Sequence, residues 1–241
     1  MELPGTPSDE VPAVLAEGRG DIGTLFVSMA TRHPDGADAD YLRWHTLDHR
    51  PEQHRLSAVR ASLRLVSTPE CRAARAATRA PYDAIDHVMT YFFTDPGGME
   101  SFLSLSKALG DAGRKLPLLP PVERGVYGVA DKAAAPRVKA GADVLPWWPA
   151  RGVYLLLEPD STAASDLLDV EGVAGVWSAT SLPVGARLAS APAGQTLSYL
   201  FLDDDPVVTA HRLRPVLEDA TPLFAAPFHP VVPHEWNRYV P

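Results

Sequence analysis

The stretch FVSMATRHPDGADADYLRWHTLDHRPE, residues 26–52, joins a predicted strand to a predicted helix with several ionisable side chains. At 100° per residue, one face of a helix over residues 38–55 combines aromatic and ionisable groups. The members of this face are Tyr41, Leu42, Trp44, His45, Asp48 and His49. Because burying an unpaired charge is costly, a core face normally excludes such groups. The stretch therefore predicts either a satisfied polar network or a functional site.

The segments around this stretch form two similar halves. In the first half, alternating and helical patterns predict strands at 24–31, 61–68, 86–94 and 123–130 and helices at 38–55 and 99–110. In the second half they predict strands at 151–158, 172–181, 196–204 and 223–232 and helices at 161–170 and 206–219. Both halves thus have the β-α-β-β-α-β order of a ferredoxin-like unit. The fold class expected is α+β, with two tandem units.

Composition changes along the chain set the expected domain limits. Residues 1–22 are interpreted as an N-terminal extension and residues 23–131 as the first unit, which contains the candidate site. Residues 132–149 are rich in Ala, Pro and Gly and are interpreted as a linker. Residues 150–241 then form a second, degenerate unit with a C-terminal tail.

Composition also excludes several classes of function. The chain of 241 residues has 22 basic and 30 acidic residues, a net charge of −8, which argues against a nucleic-acid partner. Its one cysteine, Cys71, cannot form an internal disulfide, and no apolar stretch is long enough for a membrane-spanning helix, so a cytoplasmic protein without a membrane partner is expected. No phosphate-binding loop, GxSxG elbow or Rossmann fingerprint is present.

Residues 26–52 resemble the opening of EthD-like proteins in the dimeric α+β barrel superfamily. In that family a strand leads to a helix with an aromatic-rich end and then a His-x-Pro motif, here His49, Arg50 and Pro51. Trp44 matches the first of two adjacent aromatics, whereas His45 stands where the second is expected. The segment GVAGVWSATS, residues 172–181, is similar to the strand that follows the first helix in such domains.

The resemblance implies that two ferredoxin-like units pair their sheets into a barrel, usually from two chains. Here the tandem units would build an intramolecular barrel, a pseudo-dimer, and such pseudo-dimers could associate further as a homodimer. The resemblance also implies an apolar pocket for a small hydrophobic carbonyl or aromatic metabolite. The first unit is expected to keep this pocket, because the predicted first helix of the second unit has no histidine.

The candidate site follows from the helix face. His49 is the first candidate for a catalytic acid or base, because an imidazole titrates near neutral pH, and His45 and Asp48 are expected to assist it. The predicted substrate-binding residues are Tyr41, Trp44, His87, Tyr91 and Phe93. The leading hypothesis is cofactor-free proton transfer of a cyclase, isomerase or lyase type.

Other interpretations of the histidines stay open. His45 and His49 are four residues apart, with Glu52 close to the next turn, but two histidines without a clear third ligand do not predict a metal. An oxidative, monooxygenase-like enzyme would use one of the histidines, His45, His49 or His87, as an axial haem ligand. In a non-enzymatic binding or scaffold protein, the same histidines would be structural.

Overall fold

Nine strands form one antiparallel sheet in the computed structural model, which describes residues 22–160, 164–185 and 189–241. The strands are Thr24–Ala30 (β1), Val59–Val66 (β2), Ala77–Thr78 (β3), His87–Phe93 (β4), Pro121–Ala134 (β5), Gly152–Glu158 (β6), Val173–Ser181 (β7), Thr196–Leu202 (β8) and Phe224–Pro230 (β9). The α-helices are Asp38–Trp44 (α1), Arg50–Gln53 (α2), Pro69–Ala73 (α3), Gly98–Asp111 (α4) and Pro206–Leu213 (α5). A π-helical turn, His45–His49, joins α1 to α2. The 3₁₀ turns are Tyr82–Ala84, Ala142–Trp147, Ala164–Asp169 and Pro215–Leu217.

The strand order identifies two ferredoxin-like units. The first unit has the order β2-β4-β1-β5, and the second has the equivalent order β7-β8-β6-β9. The last strand of each unit pairs with the second strand of the other, β5 with β7 and β9 with β2, so eight strands close into a barrel. The short strand β3 is added on β9. The predicted α+β pseudo-dimer within one chain is confirmed.

Alternation along each strand decides which side chains fill the barrel. In β1, Leu25, Val27 and Met29 point inward, whereas Phe26 and Ser28 point toward the helices. Inward side chains from both units form the largest hydrophobic cluster, and an eight-stranded barrel is just wide enough to be filled in this way. Gly125 is needed there because a Cβ atom at this position would lie 2.2 Å from the Tyr127 ring.

A buried carboxylate near the end of the barrel is fully hydrogen-bonded. Glu123 accepts a hydrogen bond from the Tyr82 hydroxyl at 2.8 Å and another from the Gln195 amide at 2.9 Å. The Tyr127 hydroxyl lies 3.3 Å from the same carboxylate. Because aromatic, aliphatic and paired polar groups occupy the barrel interior, the space for a ligand lies outside it, between the sheet and the helices.

Some local predictions need correction. The described part of the predicted helix 161–170 is a 3₁₀ turn, Ala164–Asp169, and residues 161–163 lie outside the described residues. The predicted helix 206–219 ends at Leu213, because Pro215 has no N–H for a continuing helix. Asp205 caps α5 by accepting the Val207 and Val208 N–H groups, whereas Asp95 closes a turn with Gly97 before α4 begins.

The expected limits of the first unit also differ from the observed packing. β5 continues to Ala134 and so enters the predicted linker. Ile22, assigned to the extension 1–22, packs in the barrel core, and the rest of that extension lies outside the described residues. Among the described helices, none is long and apolar enough to cross a membrane.

Candidate functional site

A cavity of about 170 Å³ lies between the sheet of the first unit and its helices. Strand side chains form its floor, the helical segment around the π turn forms one wall, and α4 with the following loop forms the other. The lining residues are Phe26, Ser28, Tyr41, His45, His49, Arg64, Met89, Tyr91, Phe102, Leu103, Ser106, Lys115, Leu118 and Arg124. Ser28, Met89 and Tyr91 point into this space because they alternate with residues that point into the barrel.

The π turn brings the two histidines to the cavity. The N–H of Arg50 donates to the carbonyl of His45, five residues back, instead of four as in an α-helix. Pro51 supplies a local reason, because it has no N–H and in an α-helix its ring would clash with the Leu47 carbonyl. The wider turn leaves the His45 and His49 rings 5.6 Å apart on the cavity wall. Such turns are frequent at functional sites.

His45 is buried beside Tyr91. Its side chain is 4% exposed, and its Nε2 atom lies 3.5 Å from the Tyr91 hydroxyl, a weak hydrogen bond. The Nδ1 atom has no hydrogen-bond partner among the described residues. Burial, followed by the positive charge of Arg64, lowers the pKa of His45 well below its ordinary value. This imidazole is therefore neutral at neutral pH.

His49 lies one turn further along and stacks on Trp44. The two ring centroids are 5.1 Å apart, with an angle of 25° between the ring planes. Burial, and then the charge of Lys115, lower the pKa of His49 to about 4, against the opposing effect of Asp48. Its Nδ1 atom also has no partner among the described residues. A neutral imidazole in this state can accept a proton.

Arg64 is a site residue that the sequence analysis missed. Its side chain is 5% exposed and lies on the cavity floor, with the guanidinium carbon 5.3 Å from the centre of the Tyr41 ring. The Nε and Nη2 atoms have no hydrogen-bond partner in the described part of the chain. The alternation of residues along β2 was the sequence feature that could have identified Arg64. It places Arg64 on the side of the strand that faces the helices, although the strand itself was predicted from its apolar residues.

His87 lies under the start of α1 and does not line the cavity. It is fully buried, and its Nε2 atom lies 2.8 Å from Oδ1 of Asp38, which also accepts the N–H of His33 at 2.7 Å. Burial lowers the pKa of His87 to about 4, although Asp38 acts in the opposite direction. Burial alone would raise the pKa of Asp38, but the hydrogen bonds from His87 and His33 bring it below its usual value.

Asp48 does not meet either imidazole of the predicted site. Adjacent residues on a helix point about 100° apart, so with His49 facing the cavity Asp48 lies on the flank of the helix. Its side chain is 39% exposed, and its carboxylate pairs with Arg114 at 3.1 Å. The expectation that Asp48 orients a histidine is therefore corrected to a surface ion pair.

The remaining predicted residues divide into two groups. Tyr41 and Tyr91 line the cavity with His45 and His49. Trp44 supports His49 from behind by stacking, and Phe93 packs against Phe102 with ring centroids 5.4 Å apart, under α4. Trp44 and Phe93 thus shape the site without lining it.

The cavity does not suit a metal or haem. In the described ranges, no three His, Cys, Asp or Glu side chains come together as a metal site. Glu52 instead pairs with Arg55 at 2.9 Å and with Arg114 at 3.0 Å. A cavity of about 150 Å³ is known to hold one benzene ring, so the observed 170 Å³ is far too small for a haem macrocycle.

Comparisons with known proteins give only distant structural likenesses. No family profile matches the chain, and no curated protein sequence matches it. An anthrone oxidase-like protein superposes with a TM-score of 0.49 at 10% identity, covering 88% of this chain and 92% of that chain. A chlorite dismutase-like protein gives 0.49 at 11% identity, covering 88% and 95%. A monooxygenase-like protein from Fusobacterium nucleatum gives 0.47 at 8% identity, covering 88% and 93%.

Proposed function

We propose that this chain binds a small carbonyl or aromatic metabolite in the cavity of its first unit and moves a proton on it without a cofactor. The observation that carries the proposal is the pair of buried, neutral imidazoles, His45 and His49, on the wall of a cavity that holds about one ring. Membership of the chain in an EthD-like family is also part of this proposal. It rests on the resemblance of residues 26–52, since no family profile matches the chain.

The imidazoles suit the role of general base. A base must be deprotonated at the working pH and must be able to contact the proton that it removes. Burial keeps the pKa of both histidines below neutrality, and both line the cavity. We assign the base to His49, because Trp44 stacks on its ring and holds the ring's orientation.

Two further groups can stabilise the charge that develops. When a C–H proton beside a carbonyl passes to the imidazole nitrogen, the electron pair moves to the carbonyl oxygen as an enolate. The Arg64 guanidinium supplies a fixed positive charge on the cavity floor, and burial raises the pKa of Tyr91, so its hydroxyl stays a hydrogen-bond donor. Return of the proton to another carbon or oxygen gives an isomerase reaction, and loss of a leaving group gives a lyase reaction.

The test is hydrogen exchange on enolisable probes. Wild-type protein is incubated in D₂O with cyclohexanone or phenylpyruvate, and loss of the α-proton signal is followed by NMR. We expect acceleration over buffer, reduced by about a hundredfold or more in His49→Gln, the usual contribution of a general base. His54→Gln is the matched control, because His54 is exposed and bonds to Ser62 away from the cavity. Equal rates in folded His49→Gln and wild type would exclude His49 as the base.

A further inference from the structure

The cavity lining is positively charged, whereas the chain as a whole is negatively charged. The chain has a net charge of −8, yet the cavity lining contains three cationic residues, Arg64, Lys115 and Arg124, and no Asp or Glu. Lys115 donates to Ser106, another lining residue, at 3.0 Å. A cleft lined by one sign of charge focuses the field and raises the local concentration of the opposite ion. The cavity therefore favours an anionic ligand over a neutral one.

Arg64 is a buried cation of the cavity lining. Its Nε and Nη2 atoms are shielded from solvent and have no hydrogen-bond partner in the described part of the chain. A guanidinium binds a carboxylate through two hydrogen bonds, so an anionic ligand in the cavity would pair with this charge. Because a buried, unpaired charge is costly, a guanidinium that is 5% exposed and incompletely hydrogen-bonded implies a partner that is supplied by the ligand.

We infer that the ligand is a carboxylate of about the size of one ring, anchored by the guanidinium of Arg64. The size follows from the cavity of about 170 Å³, close to the roughly 150 Å³ of a cavity that binds benzene. Lys115 and Arg124 attract the anion, and Arg64 holds it against the floor. The inference deepens the proposed function and rests on it, since the anchored substrate would present its C–H or O–H group to the histidines.

Benzoate and benzamide test the inference by isothermal titration calorimetry. They have the same shape, but only benzoate carries the negative charge that pairs with the Arg64 guanidinium. We expect benzoate to bind wild type at least about tenfold more tightly than benzamide, the effect of one charged hydrogen-bond pair. Equal affinities, or no binding of benzoate, would overturn the inference. This comparison uses wild-type protein, so it does not depend on the folding of a variant.

Substitution of the arginine tests the anchor itself. We expect Arg64→Met, which keeps the length of the side chain, to weaken benzoate binding about ten- to a hundredfold and to leave benzamide unchanged. Arg60→Met, an exposed position on the same strand, should bind benzoate as wild type does. A folded Arg64→Met protein with wild-type benzoate affinity would overturn the assignment.

The histidine variant separates this inference from the proposed function. His49→Gln should still bind benzoate, because the anchor lies on the floor, although it should not accelerate proton exchange. If wild type binds benzoate through Arg64 but accelerates no exchange, the proton-transfer function fails and the anion site stands. If exchange is accelerated while benzoate and benzamide bind equally, the anion site fails and the function stands.

Discussion

Asp38 Oδ1 and His87 Nε2 lie 2.8 Å apart, with both side chains buried. Asp38 is the first residue of α1, and His87 is the first residue of β4, so this hydrogen bond attaches the helix to the sheet. The same helical segment carries His45 and His49 in its next turns. The pair therefore positions the candidate base without lining the cavity.

Removal of the Asp38 carboxylate should destabilise the protein. Asp38→Ala leaves the buried Nε2 atom of His87 and the N–H of His33 without their partner, and we expect the free energy of unfolding to fall by about 1–3 kcal/mol. Urea denaturation monitored by circular dichroism measures it. Asp40→Ala is the matched control, because Asp40 lies in the same first turn and is exposed. Losses of equal size in both variants would contradict a specific role for the pair.

The buried histidines predict loss of stability in acid. The pKa of His49 and of His87 is about 4 in the folded chain, against 6.5 for a free imidazole. Between pH 4 and pH 6.5 the unfolded chain binds protons at these histidines that the folded chain does not. Their full contribution to the free energy of unfolding is therefore present above pH 6.5 and is lost as the pH falls toward 4. Each of these histidines should account for a loss on the order of 3 kcal/mol.

The measurement is urea denaturation at pH 7.0, 5.5 and 4.5 in wild type and His49→Gln. Gln does not titrate, so the variant should lose less stability over this range than wild type. Parallel curves for the two proteins would show that His49 does not have a lowered pKa in the folded state.

The fold was predictable because strand and helix periods are local properties. Alternation placed Leu25, Val27 and Met29 on one face and Phe26 and Ser28 on the other, and the order of elements indicated the two units. The 3₁₀ turn Ala164–Asp169 was not predicted, because its apolar residues also fit a short helix. Homodimer association and a cytoplasmic location stay predictions.

The site was predictable only in part. Helical periodicity found His45, His49 and Tyr41, but it put Asp48 on the same face, and only the packing of Arg114 shows that Asp48 lies outside. Along β4, His87 and Phe93 share a face with Tyr91 but lie at the strand ends, under α1 and α4. The extent of the cavity depends on how the helices cover the strand, which a single segment of sequence does not contain.

Pro51 should maintain the π turn that orients His49. Pro51→Ala removes the clash with the Leu47 carbonyl and restores an N–H donor, so the segment can return to a regular α-helix. We expect stability to be unchanged or higher and exchange activity to fall, because His49 rotates relative to the cavity, whereas benzoate affinity should stay as in wild type because its anchor is Arg64. Chemical shifts of the 45–50 backbone and the exchange assay measure the two effects together. Increased helicity with unchanged activity would show that the π turn is not required.

Lys115 should contribute to the lowered pKa of His49. After burial, its positive charge is the largest influence that lowers this pKa to about 4. Lys115→Met keeps the apolar stem and removes the charge, so the pKa of His49 should rise toward 6.5, and the acid limb of the exchange profile should move to higher pH with it. The ring proton shifts of His49, followed by NMR from pH 3.5 to 8, report the change directly. Lys107→Met is the matched control, because Lys107 is exposed on α4 and pairs with Asp111. A His49 titration that is the same in all three proteins would mean that burial alone sets its pKa and that Lys115 serves only to attract the ligand.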